Sequence, residues 1–452
     1  MDLASPRPLI FVNDANTVAL IDVPTSISHA QGTKDAAFHY SLLSTEPSHT
    51  PFQDNEPKTR TARDRVSERN PALPEDELYQ KLIGAALAEI RLSHHRDWCY
   101  PRRISSFSTS EKPEQIAEQR SKRQRRNEDQ NEQLATNIAA TDQSETTSTG
   151  NESSVEAPRS VDKSSTVINT SAYESREIHV GDHIVRAFYV NVKDSRCLLS
   201  FGGNSSLHHS KFYCPPRASF IASDIKDYTH VHRCQRAMLD ANQRQLFDYD
   251  LIVIDPPWPN RSARRNHGKS SYETSSRPMD TVVMIIDLDL NKYLADGGYV
   301  AVWITNQLRV NDSILAADGL FSQLNVVPEE EWIWIKTTIH GEPVTKLDGV
   351  WRKPYEVLLI GRHWKYLSSY QCTSPLKRRV LAGVPDLHSR KPCLKSLAER
   401  WLHLDEGKHH VLEIFARNLV SGWDSWGLEV LKFQNVESWA PHNAEVRDSR
   451  IP

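Results

Sequence analysis

The spacing of hydrophobic and polar positions changes several times along this chain. Near the start, the apolar runs Leu9-Ile10-Phe11-Val12 and Val18-Ala19-Leu20-Ile21 flank Asn13, Asp14 and Asn16, which predicts a β-hairpin. A helix is predicted from about Pro74, with Glu75, Asp76 and Glu77 in its first turn, where carboxylates complement the helix dipole. Leu78, Leu82, Ile83, Ala86, Leu87 and Ile90 would form its apolar face. Together these elements suggest a small N-terminal accessory domain over residues 1–103. Over residues 104–170 large apolar residues nearly vanish among Ser, Thr, Glu, Gln and Asn. Such a stretch buries too little surface to offset its ordering entropy, so a disordered linker is expected.

From Phe212 onward the pattern becomes α/β. Strand-like runs are Phe220–Ala222, Leu251–Ile254, Tyr299–Ile304, Trp332–Ile335, Val357–Ile360, Val411–Phe415 and Leu428–Leu431. Helical candidates fall between several of them, at Met279–Leu294, Leu308–Leu324 and Leu394–Leu404. Alternation of this kind predicts a mostly parallel sheet covered by helices on both faces. Thr337–Pro354 shows no helical period, so the strands on either side of it can be antiparallel neighbours. The expected organisation is completed by a lead-in segment (171–212), a main domain (213–436) and a short tail (437–452).

Composition narrows the function classes. Net charge is −3 over 452 residues, so any nucleic-acid surface must be a local basic cluster, not a uniformly cationic coat. The six cysteines form no C-x-x-C pair, which gives no zinc-knuckle or redox motif and fits reduced thiols inside a cell. His230, His232 and Cys234 have no second cluster to complete a metal site, and no metal is expected. The H-x-E…P-C-x-x-C pattern of zinc deaminases is missing. No signal-peptide pattern and no apolar run of membrane-spanning length is present. Lys122-Arg123-Gln124-Arg125-Arg126 could serve as a nuclear-import signal or a nucleic-acid tether, giving the nucleus as the expected compartment with the cytoplasm as the alternative.

One motif carries chemistry. The apolar strand Ile252-Val253-Ile254 ends in Asp255-Pro256-Pro257-Trp258. In an open α/β sheet, ligands bind beyond the carboxyl ends of strands. Two prolines fix φ and lack an N–H, so the acid and the neighbouring carbonyls are held in a rigid turn. Trp258 supplies a flat face on which a base could stack. The N6 lone pair of adenine is delocalised into the ring and is a poor nucleophile. Acceptors that bind the amine hydrogens, the Asp255 carboxylate and the Pro256 carbonyl, would turn that lone pair toward a methyl donor. Catalysis would then be positioning and electrostatics, with no strong general base.

The tetrad resembles that of the MTA70 family of N6-adenine methyltransferases, a permuted Rossmann-like group, and within it the methyltransferase-like 4 branch. The likeness covers roughly Tyr213–Phe433 and is carried by Pro215–Ile225, Glu331–Lys336, Lys353–Arg362, His388–Pro392, Glu413–Asn418, Trp423, Trp426-Gly427 and Glu429–Phe433. The resemblance implies S-adenosyl-L-methionine as cofactor and adenosine in small nuclear RNA, including its 2′-O-methylated form, as substrate; DNA adenine is the alternative. An inactive nucleic-acid-binding subunit is a further alternative, against which the intact tetrad argues. It implies that Asp224 and Ile225 read the cofactor adenine, Lys391 faces the methionine carboxylate, Arg417 and Asn418 lie near the ribose, and Glu429 accepts from the ribose hydroxyls. Phe415 and Asp255 complete the implied cofactor set. No G-x-G phosphate loop is present, as suits a cofactor without phosphate. The branch usually carries a polar residue where Leu428 stands, and Leu419 lies near a position that is histidine in the messenger-RNA branch.

Basic residues gather around the tetrad. Arg261, Arg264, Arg265, His267 and Lys269 follow it, with Tyr272 just after; Lys346, Arg352 and Lys353 lie in the later irregular loop. Basic loops beside a stacking residue suit a phosphate backbone. The candidate substrate-binding set is therefore Trp258, Asn260, Arg261, Arg264, Arg265, Tyr272, Lys336 and Arg352.

Overall fold

The computed structural model describes residues 6–53, 59–61, 64–65, 74–104, 166–170, 177–179, 187–202, 209–228, 232, 234, 236, 248–259, 277–349, 353–365, 375–387 and 390–441. The first strands are β1 (Leu9–Val12), β2 (Val18–Ile21), β3 (Tyr40–Leu42), β4 (Thr166–Thr170), β5 (Glu177–His179), β6 (Ala187–Asn191), β7 (Cys197–Gly202) and β8 (His209–Cys214). Then follow β9 (Ser219–Ala222), β10 (Tyr249–Ile254), β11 (Leu294–Ile304), β12 (Val326–Lys336), β13 (Tyr355–His363), β14 (Lys377–Gly383), β15 (Val411–Ile414), β16 (Trp423–Trp426) and β17 (Trp439–Pro441). Described helices include α1 (Val23–His29), α2 (Asp76–Ser93), α3 (Pro278–Ile286), α4 (Leu308–Leu315), α5 (Leu320–Gln323) and α6 (Lys395–Trp401).

A 12-stranded sheet organises the molecule, in the order β1-β2-β14-β12-β13-β11-β10-β15-β16-β9-β6-β4. From β11 through β10, β15 and β16 to β9 every pairing is parallel. β13 runs antiparallel to both β11 and β12, as the helix-free stretch between β12 and β13 suggested. Alternate residues of each strand serve two cores. Ile252, Ile254, Val300 and Val302 pack with α2, α3, α4 and α5 on one face. Leu251, Val253, Ala301 and Trp303 pack with α1 and α6 on the other. Each such fully buried aliphatic side chain contributes roughly 1.5–3 kcal/mol.

Six sequence expectations are corrected. Residues 1–103 do not make a separate domain. β2 pairs in parallel with β14, extending the main sheet, and these residues share one compact unit with 165–452. The buried face of α2 is Tyr79, Ile83, Ala86, Leu87 and Ile90, while Leu78 is 39 % exposed. The expected linker ends too late, because Thr166–Thr170 pairs with β6 as β4; its β-branched Thr, Val and Ile favour extended backbone. The remainder of that stretch, with Lys122–Arg126, lies outside the described residues apart from Ile104. Leu428–Leu431 forms turns instead of a strand; the strand beside β15 is Trp423–Trp426. The helix expected over Leu308–Leu324 is broken into α4 and α5 around Gly319, and that over Met279–Leu294 ends at Ile286. Among the described residues, no helix is long and apolar enough to cross a membrane.

Candidate active site

β10 is the strand at which the chain order reverses. Its successor β11 lies on one side, whereas β15, which follows it by some way in sequence, lies on the other. Strands that diverge in this manner open a crevice at their carboxyl ends. Asp255-Pro256-Pro257-Trp258 follows β10 directly into that crevice, and Phe415 to Asn418 follows β15. The antiparallel β13 brings its first residues to the same edge, since Ile304 pairs with Val357 and Ile335 with Tyr355. Lys336 and Glu356 therefore come to the edge that carries Asp255.

A chain of alternating charges crosses this edge. The Lys391 ammonium donates to Asp255 Oδ1 at 2.7 Å and lies 3.0 Å from Glu356 Oε2. Lys336 Nζ donates to Glu356 Oε1 at 2.5 Å. Lys391 also stands 4.8 Å from the centre of the Trp303 ring, and Lys336 4.9 Å from that of Trp334, both favourable cation–π placements. Burial pushes the Glu356 carboxyl up, but Lys391 and Lys336 outweigh it and hold that acid down at about 2. Burial likewise disfavours the Lys391 ammonium, yet Asp255 and Glu356 raise its affinity for the proton. Glu356 and Lys391 are thus both held ionised.

Asp255, Lys391, Phe415, Arg417 and Asn418 line one cavity, together with Trp303, Glu413, Trp423 and Phe433. Glu429 joins this group through its ion pair with Arg417, Nε to Oε2 at 3.4 Å. Phe415 turns the chain out of β15 with φ +62°, a left-handed conformation uncommon for a bulky residue. Glu413 is a second carboxylate in the cavity wall. Burial, and then the charge of Asp255, push its acid up to about 8.

Sequence reasoning missed Glu413, Glu356 and Trp303. The signal for both acids was present: each is a carboxylate inside an otherwise apolar strand, where a charge is seldom placed without a partner. Other expected residues fall elsewhere. Ile225 is buried, and the exposed Asp224 accepts the Lys226 N–H at Oδ1; neither lines the cavity. Trp258 is only 5 % exposed and donates its indole N–H to the Trp303 carbonyl at 2.6 Å. In this arrangement its ring is part of the core and offers no open stacking face. The Pro256 carbonyl accepts the Trp258 backbone N–H at 2.8 Å, which closes the turn on itself. Lys391 is engaged with Asp255 and Glu356, which the resemblance did not anticipate. Asn260, Arg261, Arg264, Arg265, His267, Lys269, Tyr272 and Arg352 lie outside the described residues. Among the described residues no group of His, Cys, Asp and Glu is arranged to hold a metal ion.

Comparison with known proteins places this geometry. Residues 249–429 match the MT-A70 family model, a span that begins with β10 and ends at Glu429. The chain is 44 % identical over 191 residues to a protein of Cryphonectria parasitica named N6-methyladenosine RNA methyltransferase MTA1, covering 42 % of this chain and 54 % of the relative. It is 34 % identical over 250 residues to the human protein named N(6)-adenine-specific methyltransferase METTL4, covering 53 % and 47 %. It is 28 % identical over 228 residues to a Caenorhabditis elegans protein named DNA N6-methyl methyltransferase, covering 50 % and 55 %. The chain spans about half the length of the curated relatives it matches. Residues 249–429 of this chain thus match an MT-A70 domain, and the relatives it resembles are named as N6-adenine methyltransferases.

Proposed function

We propose that this protein transfers a methyl group from S-adenosyl-L-methionine to N6 of adenine in nucleic acid, with adenosine of small nuclear RNA, including its 2′-O-methylated form, as the substrate. The observation that carries the reading is the intact Asp255-Pro256-Pro257-Trp258 turn at the switch point of the sheet, with Asp255 clamped by Lys391. The donor set suits the cofactor. Asp255 and Glu413 are carboxylates close enough for one to disfavour ionisation of the other, and a cationic ligand between them would relieve that repulsion. Lys391 and Arg417 offer cations toward a carboxylate and hydroxyls, Glu429 an acceptor for a diol, and Phe415 and Phe433 apolar faces. Bound there, the cofactor would supply a methyl on a sulfonium, already a good electrophile.

The chain's own residues then do the positioning. Asp255 presents a fixed acceptor to an adenine amine, because Lys391 holds Oδ1 and, among the described residues, Oδ2 is left to accept. The chain Lys336–Glu356–Lys391 anchors Asp255 and prevents its rotation. Orientation of this kind removes much of the entropic barrier without a strong base. Lys122–Arg126 supports a nuclear location.

Substrate class is tested by offering the purified chain RNA oligonucleotides with adenosine or 2′-O-methyladenosine, and the matching DNA. Faster methylation of the 2′-O-methylated RNA is expected. Preference for DNA would replace RNA with DNA in the reading, consistent with the name of the nematode relative.

A further inference from the structure

We infer that Asp76, at the start of α2 in the N-terminal segment, is a positioning residue for the methyl-transfer site, and that residues 1–103 are therefore part of the catalytic machinery. This inference rests on the reading of the site proposed above.

The geometry starts at β13. Glu356, which links Lys336 to Lys391, is the second residue of that strand, so its place is set by the strand's entry. Tyr355 is that entry. Its carbonyl accepts from Asn306 Nδ2 at 2.5 Å, while the Lys336 N–H donates to the Pro354 carbonyl at 2.8 Å. The Tyr355 hydroxyl donates to Asp76 Oδ1 at 2.6 Å, and Lys353 Nζ lies 3.4 Å from Asp76 Oδ2. Asp76 is itself buried, and its carboxylate lies between the two residues that flank Pro354. The Tyr79 ring of α2 meets the Tyr355 ring edge-on at 6.0 Å. Burial and the Asp76 carboxylate strengthen the Tyr355 phenol's hold on its proton, so it stays protonated and donates.

The same N-terminal segment grips the loop between β12 and β13. The Ile339 N–H donates to Ser48 O at 3.0 Å, Phe52 N–H to Val344 O at 2.8 Å and Trp98 N–H to Ile339 O at 2.9 Å. Arg91 donates to Gly341 O at 2.7 Å. Gly341 has φ +78°, and a Cβ there would collide with the Trp98 indole. A buried charged hydrogen bond between α2 and the first residue of β13 thus fixes the strand from behind, and through Glu356 and Lys391 it fixes Asp255. Purely structural packing needs apolar contact only; a carboxylate buried to bind a tyrosine and a lysine beside the site sets a register.

The test uses the full chain with Asp76→Ala, Asp76→Asn and Tyr355→Phe, and Leu92→Ala on the exposed side of α2 as control. Active sites are counted by calorimetric titration with S-adenosyl-L-methionine. For Asp76→Ala, kcat per cofactor-binding site should fall about tenfold or more, the usual effect of losing a hydrogen bond to a charged group, with cofactor Kd changing less than about threefold. Asp76→Asn, whose amide oxygen still accepts from Tyr355, should recover most of kcat; Leu92→Ala should match the wild type. In hydrogen exchange, peptides covering 337–358 should lose protection in Asp76→Ala while those covering β15 do not. Wild-type kcat per site in Asp76→Ala, or an equal loss of protection across the sheet, overturns the inference. If the wild type transfers no methyl, the proposed function fails, and the exchange pattern still decides whether Asp76 holds the β13 entry.

Discussion

Replacing Lys391 by Met keeps most of the side-chain volume and removes the charge that joins Asp255 to Glu356. Two interactions are lost, at 2.7 and 3.0 Å, and a cation–π contact with Trp303 at 4.8 Å. Removing one partner of a fully buried ion pair costs about 3–5 kcal/mol. Here the side chains of Lys391, Asp255 and Glu356 keep 18, 16 and 24 % of their exposure, and Lys336 still faces Glu356. Solvent and Lys336 therefore return part of the loss, leaving roughly 2 kcal/mol by the same scale. The pH dependence gives the sign. Glu356 ionises near 2 in the folded chain, below the ordinary carboxylate range, so its stabilising effect is present above that range and is lost as pH falls through about 2. Without Lys391 the Glu356 acid moves up, and the acid limb of the stability curve moves to higher pH. Chemical denaturation of both chains between about pH 3 and 7 measures this. Methyl transfer at neutral pH should also fall by about 30-fold or more if orientation of Asp255 is worth about 2 kcal/mol in the transition state. Superimposable acid limbs would refute the claim that Lys391 sets the charge of this edge. An unchanged kcat with a shifted limb would refute its link to chemistry.

Other outcomes follow from the same structure. Glu413 binds its proton up to about pH 8 when folded, so wild-type stability falls as pH rises from the ordinary carboxylate range to that value; Glu413→Gln should lack this decline, and thermal melts at about pH 6 and 9 show whether the gap widens with pH. Gly341→Ala meets both a positive φ and the Trp98 indole, and should lower the melting temperature by several degrees in calorimetry, as expected for a loss of about 1–3 kcal/mol. A variant with residues 104–164 replaced by a short flexible tether should keep cofactor affinity and oligonucleotide methylation, because the compact unit comprises 1–103 and 165–452. A folded, cofactor-binding variant of that kind that cannot methylate would show that the removed segment engages substrate.

Much of the fold could be read from sequence because its strands are short apolar runs. Leu251–Ile254, Tyr299–Ile304 and Val357–Ile360 lie where their pattern put them. β14 was missed because Lys377-Arg378-Arg379 opens it with charges; Arg378 and Arg379 are neutralised by Glu331 and Glu330 of β12, a pairing visible only in three dimensions. Trp423–Trp426 was displaced onto Leu428–Leu431 because Asp424 and Ser425 break its apolar run. Asp424 is buried, and accepts from Ser219 and Tyr249. The site shows the same limit. Asp255 and the turn after it were legible as a local motif, whereas the Lys391–Glu356–Lys336 chain joins residues far apart in sequence. The N-terminal segment read as accessory because its sheet partner, β14, was itself unrecognised.

Following the methyl group shows where the protein places it. The purified chain is incubated with S-adenosyl-L-methionine carrying a deuterated methyl and an RNA oligonucleotide containing one adenosine, and the digested nucleosides are analysed by mass spectrometry. N6 of that adenosine should carry a deuterated methyl with wild-type protein, and the product should fall at least about 100-fold with Asp255→Ala, whose cofactor affinity stays within about tenfold. A methyl found on another atom, or equal N6-methylation by wild type and Asp255→Ala, would contradict N6 transfer positioned by Asp255.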